Sequence, residues 1–116
     1  MNTPAPYQEE RPWGNFRQFT HNELTTVKII TVKKGARNSL QKHQNRDERW
    51  VIIAGEMKVT IGEVEHDAKI GDEFWVPANT PHRFAGVGDD NRLLEIAYGD
   101  FDEGDNERIE DDYGRT

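Results

Sequence analysis

Four side chains of this 116-residue sequence have types and spacings suited to holding one cation between them: Gln41, His43, Glu48 and His82. In an extended strand, residues two apart point the same way, so Gln41 and His43 face one side together. Glu48 follows a turn later and can fold back to the same point. His82 belongs to a second polar cluster, Gly71–His82, that interrupts the apolar pattern downstream. A side-chain amide, two imidazoles and a carboxylate make a nitrogen and oxygen donor set. Such a set suits Zn, Mn, Fe, Co or Ni and leaves positions open for water or substrate. We therefore expect one divalent metal ion as cofactor. His21 and His66 have no partners at ligand spacing and stay outside this set.

Those four residues must be carried by strands. Val27–Thr31 alternates loosely and breaks at Lys34-Gly35; Trp50–Ala54 is an apolar run closed by Gly55; Val59 and Ile61 alternate up to Gly62. Phe74–Val76 stops at Pro77, Arg83–Ala85 follows Pro81-His82, and Leu93–Ala97 is the last strong strand signal. Turn residues recur about every ten positions and no sustained period of 3.6 occurs, which predicts an all-β sandwich or barrel. Helix, if present, is confined to short pieces near the ends. The expected organisation is one domain: a lead-in and edge segment over residues 1–20, flexible at its start, a barrel over 21–99, and an acidic strap over 100–116.

Charge narrows the partners. Residues 1–99 carry 13 Lys/Arg against 14 Asp/Glu, while residues 100–116 hold eight acids against Arg108 and Arg115. No basic stripe exists to follow a phosphate backbone, so no nucleic-acid partner is expected. The longest apolar run, Trp50–Ala54, is far too short to span a bilayer, so no membrane partner is expected either. Met1–Gly14 lacks the pattern of a secretory signal, and cysteine is absent, which excludes disulfide and thiolate chemistry. The expected location is the cytoplasm. Trp13, Trp50 and Trp75 are expected in the core or at its rim rather than as sugar-stacking platforms.

The spacing G-x5-Q-x-H-x4-E-x6-G over Gly35, Gln41, His43, Glu48 and Gly55 resembles the first motif of the cupin superfamily. G-x5-P-x-N-x2-H over Gly71, Pro77, Asn79 and His82 resembles the second, with Asn79 where Gly is usual. Asn tolerates positive φ better than most residues, so that exchange is mild. The resemblance implies a single-domain cupin, a double-stranded β-helix or jelly-roll barrel. It also suggests a homodimer, since open strand edges are commonly paired away.

A narrower resemblance covers nearly the whole chain. Arg11-Pro12-Trp13-Gly14, Ser39–Trp50, Val76-Pro77-Ala78, Pro81-His82-Arg83 and Glu110–Arg115 look like the C-terminal cupin domain of type II phosphomannose isomerases. That family uses Gln as its first metal ligand, which accounts for Gln41. In its larger bifunctional members the domain follows a guanylyltransferase domain, for which this chain has no room. The implied activity is interconversion of mannose 6-phosphate and fructose 6-phosphate, with the metal polarising the carbonyl and a base moving a proton between C1 and C2. Glu48 and Arg46 are then the candidate catalytic residues. Arg46, Arg49 and Arg11 are candidate contacts for a sugar phosphate, although Arg46 and Arg11 also suit surface ion pairs. Two departures bear on this. His43-Gln44-Asn45 stands where the family usually has three His, and Arg49 where it has a His implicated in the isomerase chemistry. A non-catalytic module that recognises a sugar phosphate or nucleotide sugar is the alternative, and a metal-dependent dioxygenase a weaker one.

Overall fold

A computed structural model describes residues 4–115. Its eleven strands are β1 (Tyr7–Arg11), β2 (Gly14–Gln18), β3 (Thr25–Val32), β4 (Leu40–Lys42), β5 (Asp47–Ala54), β6 (Glu56–Ile61), β7 (Val64–Lys69), β8 (Glu73–Val76), β9 (His82–Gly86), β10 (Asn91–Tyr98) and β11 (Glu107–Glu110). No helix occurs among the described residues, and none is long and apolar enough to cross a membrane.

Two antiparallel sheets face one another, in the orders β3-β10-β5-β8 and β11-β4-β9-β6-β7; β1 and β2 form a separate hairpin. This is the jelly-roll barrel of a single small domain. Pairing between β10 and its neighbours aligns the inward side chains in rows. Lys28, Glu95, Trp50 and Phe74 form one row, and Ile30, Leu93 and Ile52 another. Opposite them stand Met57, Val59, Phe84 and His82 from β6 and β9. Trp50, Ile52, Met57, Val59 and Leu93 are fully buried and make the apolar end of the core. The polar row members lie toward the other end, where the barrel opens.

Two backbone positions show why the motif residues are what they are. Asn79 adopts φ +61, the conformation in which Asn substitutes for Gly at little cost. Gly55, at φ +76, turns β5 into β6, and a Cβ there would sit 2.2 Å from Asp90 O. The carboxamide of Asn91, buried beside this turn, accepts from Glu56 N and Gly88 N and donates to Val32 O and Gly88 O.

The ends of the chain depart from expectation. Residues 7–18, read as lead-in, form a regular hairpin with full registry from Tyr7↔Gln18 to Arg11↔Gly14; residues 1–3 lie outside the described residues. The acidic strap contributes a strand, β11, which pairs with β4 and so extends the five-stranded sheet. The polar β7 carries no strand signal in its sequence, since Val64–Lys69 is an edge strand with one buried residue, Ala68.

Candidate metal centre

β4 and β9 bring the two motifs together in one sheet, with Gln41 directly paired to His82. Glu48 comes from β5 in the facing sheet, so the donors meet across the barrel rather than by folding back along one strand. The loop after β4 is fixed from two sides. Asn79 N donates to His43 O at 2.7 Å, and the Asp105 carboxylate accepts from Gln44 N and Asn45 N at 2.8 Å each.

His43, Glu48 and His82 are buried, and their ligand atoms lie within 4.8 Å of one another. His43 Nδ1 is 2.8 Å from Asp105 O, and His82 Nδ1 is 2.9 Å from Thr80 O. A carbonyl oxygen only accepts, so both Nδ1 atoms carry hydrogen and both Nε2 atoms present lone pairs. Those Nε2 atoms stand 3.2 Å apart, with Glu48 Oε2 at 3.7 Å from the first and Oε1 at 3.9 Å from the second. Two lone pairs cannot hydrogen-bond one another; the Arg46 guanidinium already serves that of His43, and a cation between the two rings would serve both. Burial pushes the pKa of each imidazole down, keeping the rings neutral and ready to ligate. Burial also opposes ionisation of Glu48, but the His82 ring, the hydrogen bond from Arg46 and one from Glu95 outweigh it and hold the carboxylate below its ordinary value. The donor set therefore fits a divalent metal, with Gln41 in the wall of the same cavity as a neutral fourth donor.

The arginines divide. Arg46 is at the site, but its Nε donates to Glu48 Oε2 at 2.9 Å and its Nη2 lies 3.1 Å from His43 Nε2. Its guanidinium also stacks over Phe101, 4.3 Å from the ring centroid. Arg49 is not at the site. Strand alternation turns it to the outer face of its sheet, over Trp75 and bonded to Pro4 O. The Arg-for-His exchange at position 49 thus removes nothing from the metal cavity. Arg11 is also remote, on the exposed hairpin, paired with Glu9 at 3.2 Å. Neither Arg49 nor Arg11 lines the metal cavity, so a phosphate held there would not reach them. Trp50 is core, with Nε1 donating to Glu48 Oε1; Trp75 is half-buried outside the barrel; Trp13 is 73% exposed, neither core nor rim.

Several cavity residues belong to no motif in the sequence. The cavity, about 240 Å³, is also lined by Lys28, Ser39, Glu95, Asn106, Arg108 and Arg115. Glu95 is 7% exposed, and burial with the neighbouring Glu48 charge pushes its carboxyl up to about 8, so at neutral pH it holds a proton. Its signal was present: in Leu93–Ala97 it shares the core-facing side with Leu93 and Ala97. Ser39 Oγ, Asn106 Oδ1 and Arg108 Nε are buried without a hydrogen-bond partner.

Comparison with known proteins places the chain. The family described as mannose-6-phosphate isomerase C-terminal matches residues 5–111. The chain belongs to that family. Among its relatives is the alginate biosynthesis protein AlgA of Pseudomonas aeruginosa. It is 37% identical over 108 residues, which cover 91% of this chain and 22% of AlgA. Mannose-1-phosphate guanylyltransferase ManC of Salmonella typhimurium is 38% identical over 109 residues, with 91% and 22% covered. The chain thus spans about a fifth of the length of these relatives. The cupin domain of Schizosaccharomyces pombe Cnp3 shares the fold at 18% identity, with a TM-score of 0.62, covering 71% of this chain and 61% of that one.

Proposed function

We propose that this family member binds a phosphorylated hexose against its metal centre and interconverts mannose 6-phosphate and fructose 6-phosphate. The observation carrying this reading is the pairing of a buried cation-binding trio with unpartnered polar atoms on Ser39, Asn106 and Arg108 in one cavity. Buried polar groups without partners are rare, and a polyhydroxylated ligand would satisfy them. A divalent ion held by Gln41, His43, Glu48 and His82 supplies Lewis-acid polarisation of a carbonyl oxygen.

The remaining chemistry falls to the protein. An aldose–ketose exchange takes a proton from C2 and delivers one to C1, and reverses this in the other direction. Glu48 is poorly suited to that transfer, being tied to Arg46 and Trp50 and held ionised. Glu95 suits it better, since its carboxyl lines the cavity and changes protonation near physiological pH. For the phosphate, Arg108 is a stronger candidate than Arg46, whose charge is already spent on Glu48. Arg108 Nε is free to form the charge-assisted pair that a phosphate favours. A cytoplasmic location accords with such a substrate.

A coupled assay with mannose 6-phosphate, on metal-stripped and metal-loaded protein, tests the reading. Turnover should require metal, vanish in His82→Ala and Glu95→Gln, and survive in Arg108→Gln with KM raised about tenfold to a hundredfold, the value of one charge-assisted contact. Metal-loaded protein that neither turns over nor binds mannose 6-phosphate overturns it. Binding without turnover selects the non-catalytic module instead.

A further inference from the structure

On the outer side of the β3-β10-β5-β8 sheet lies a second cavity of about 420 Å³, larger than the metal cavity and in the size range of ligand-binding clefts. Its floor is set by strand pairing. Asp47 and Arg49 are two apart in β5 and so share the outer side. Across the pairs, Asp47 stands opposite Tyr98 of β10, and Arg49 opposite Trp75 of β8. Pro4, Tyr7 and Phe19, from the β1–β2 hairpin and its flanks, supply the other wall.

One side chain in this cavity is short of partners. Arg49 is 5% exposed. Its Nη2 donates to Pro4 O, but its Nε has no hydrogen-bond partner among the described residues. The carboxylate it approaches, Glu73, lies 4.0 Å from Nη1 and already holds Arg17 in a two-pronged pair. Orphaned buried donors are rare, and one on a guanidinium inside a cavity marks a place for an acceptor. Beside it, Asp47 Oδ1 accepts from Ala78 N at 2.7 Å, while the other carboxylate oxygen has no partner among the described residues.

The surroundings decide what kind of ligand suits these two groups. Asp47, Glu23 and Glu73 stand in or beside the cavity against Arg49 and Arg17, so carboxylates outnumber guanidinium groups by three to two and a free anion is not favoured. The walls are aromatic. The Trp75 and Tyr98 rings meet at 5.5 Å between centroids, and the Arg49 guanidinium lies 5.2 Å from that of Trp75. A neutral planar ring fits such walls. It must present acceptors to Arg49 and, about 6.6–7 Å along the strand, donors to Asp47.

We propose that this outer cavity binds a guanine-type base. Its O6 and N7 edge accepts from Arg49, its N1–H and 2-amino group donate to Asp47, and its ring lies among Phe19, Trp75 and Tyr98. Arginine is the usual reader of guanine O6 and N7, and aromatic side chains hold bases by their faces. Adenine carries an amino donor where guanine has O6, and would turn it toward a cation. The sheet itself separates this cavity from the metal centre, since Glu48 and Trp50 alternate with Asp47 and Arg49 and face inward. The proposal therefore stands apart from the sugar-phosphate reading.

Titration calorimetry of the metal-stripped full chain with guanosine, inosine and adenosine tests it. Guanosine should bind once per chain, and adenosine about tenfold to a hundredfold more weakly, the discrimination of one matched base edge. Inosine, which keeps O6 but lacks the 2-amino group, should fall between them. Arg49→Lys keeps the charge but loses the planar fork, and Asp47→Asn loses the carboxylate. Each should weaken guanosine at least tenfold and leave metal binding as in wild type. Saturating mannose 6-phosphate should not alter guanosine affinity, whether or not the chain turns that sugar over. No guanosine binding up to millimolar order, equal affinity for guanosine and adenosine, or displacement by mannose 6-phosphate overturns the proposal. So would a guanosine affinity indifferent to both substitutions. The nucleoside comparison uses wild type alone, so it decides even where a variant fails to fold.

Discussion

The Arg46 guanidinium lies 2.9 Å from Glu48 Oε2 and 3.1 Å from His43 Nε2, so a positive charge already rests on two of the donor atoms a metal needs. Both partners are buried, and removing one member of such a pair usually costs about 3–5 kcal/mol because it strands the other. A divalent ion compensates that loss more strongly than the guanidinium does. Arg46→Met should therefore lower the stability of the metal-free protein by about that amount, yet bind metal at least as tightly as wild type. The rise in melting temperature on metal addition should be larger in the variant. Calorimetry with and without chelator measures it, and a tenfold loss of metal affinity would show that Arg46 supports the site rather than competing for it. The sequence exposed His43, Glu48 and His82 because ligand types at motif spacing are a local signal. The outward turn of Arg49 was hidden because the apolar run begins only at Trp50, whereas β5 begins at Asp47 and its alternation turns both neighbours of Glu48 away from the cavity.

At the level of elements, the site depends on a segment that reads as dispensable. Residues 100–116 carry eight acids and few apolar side chains, and nothing in that composition suggests a strand. In the fold, Asp105 spans two jobs: its carbonyl orients His43 Nδ1, and its carboxylate caps Gln44 N and Asn45 N. Those bonds hold the Asp105 carboxyl below its ordinary pKa. Asp105→Ala keeps the carbonyl but frees the loop that aims His43. Partners that orient a ligand are typically worth 10- to 100-fold in metal affinity, and we expect about tenfold here, read by titration calorimetry. Unchanged affinity would mean that β4 alone positions His43. The central strands β3, β5, β6, β8, β9 and β10 were legible because burial gives them apolar runs or alternation. β7 and β11 were not, and β4 only through the spacing of Gln41 and His43, since each is short or polar and owes its conformation to a neighbour. The β1–β2 hairpin was missed for a similar reason, its sequence carrying no buried face of its own.

Across the whole molecule, several buried ionisable groups in one cavity make stability depend on pH in opposing senses. In the metal-free protein, burial holds His43 and His82 below 6.5. The unfolded chain therefore takes up their protons first, and stability is lost as pH falls below about 6.5. Glu48, held below 4.5, adds a further loss at lower pH as it protonates. Glu95 acts the other way. Its folded value of about 8 lies above the 4.5 of the free side chain, so the folded state holds the extra proton between them. Its contribution is fully present below about 4.5 and is lost as pH rises to about 8. Stability should pass through a maximum on the acid side of neutrality and decline on the order of a few kcal/mol toward pH 8. Glu95→Gln removes that alkaline decline, because an amide stays neutral and fills the same space. Urea midpoints of metal-stripped wild type and variant, across about pH 5 to 9, read the difference directly. The two curves should nearly meet at about pH 5, separate as pH rises toward about 8 and keep a constant gap above it, with the variant the more stable. Curves parallel over the whole range would show that Glu95 is ionised in the folded barrel, and the proton that the proposed isomerisation needs would have to come from elsewhere.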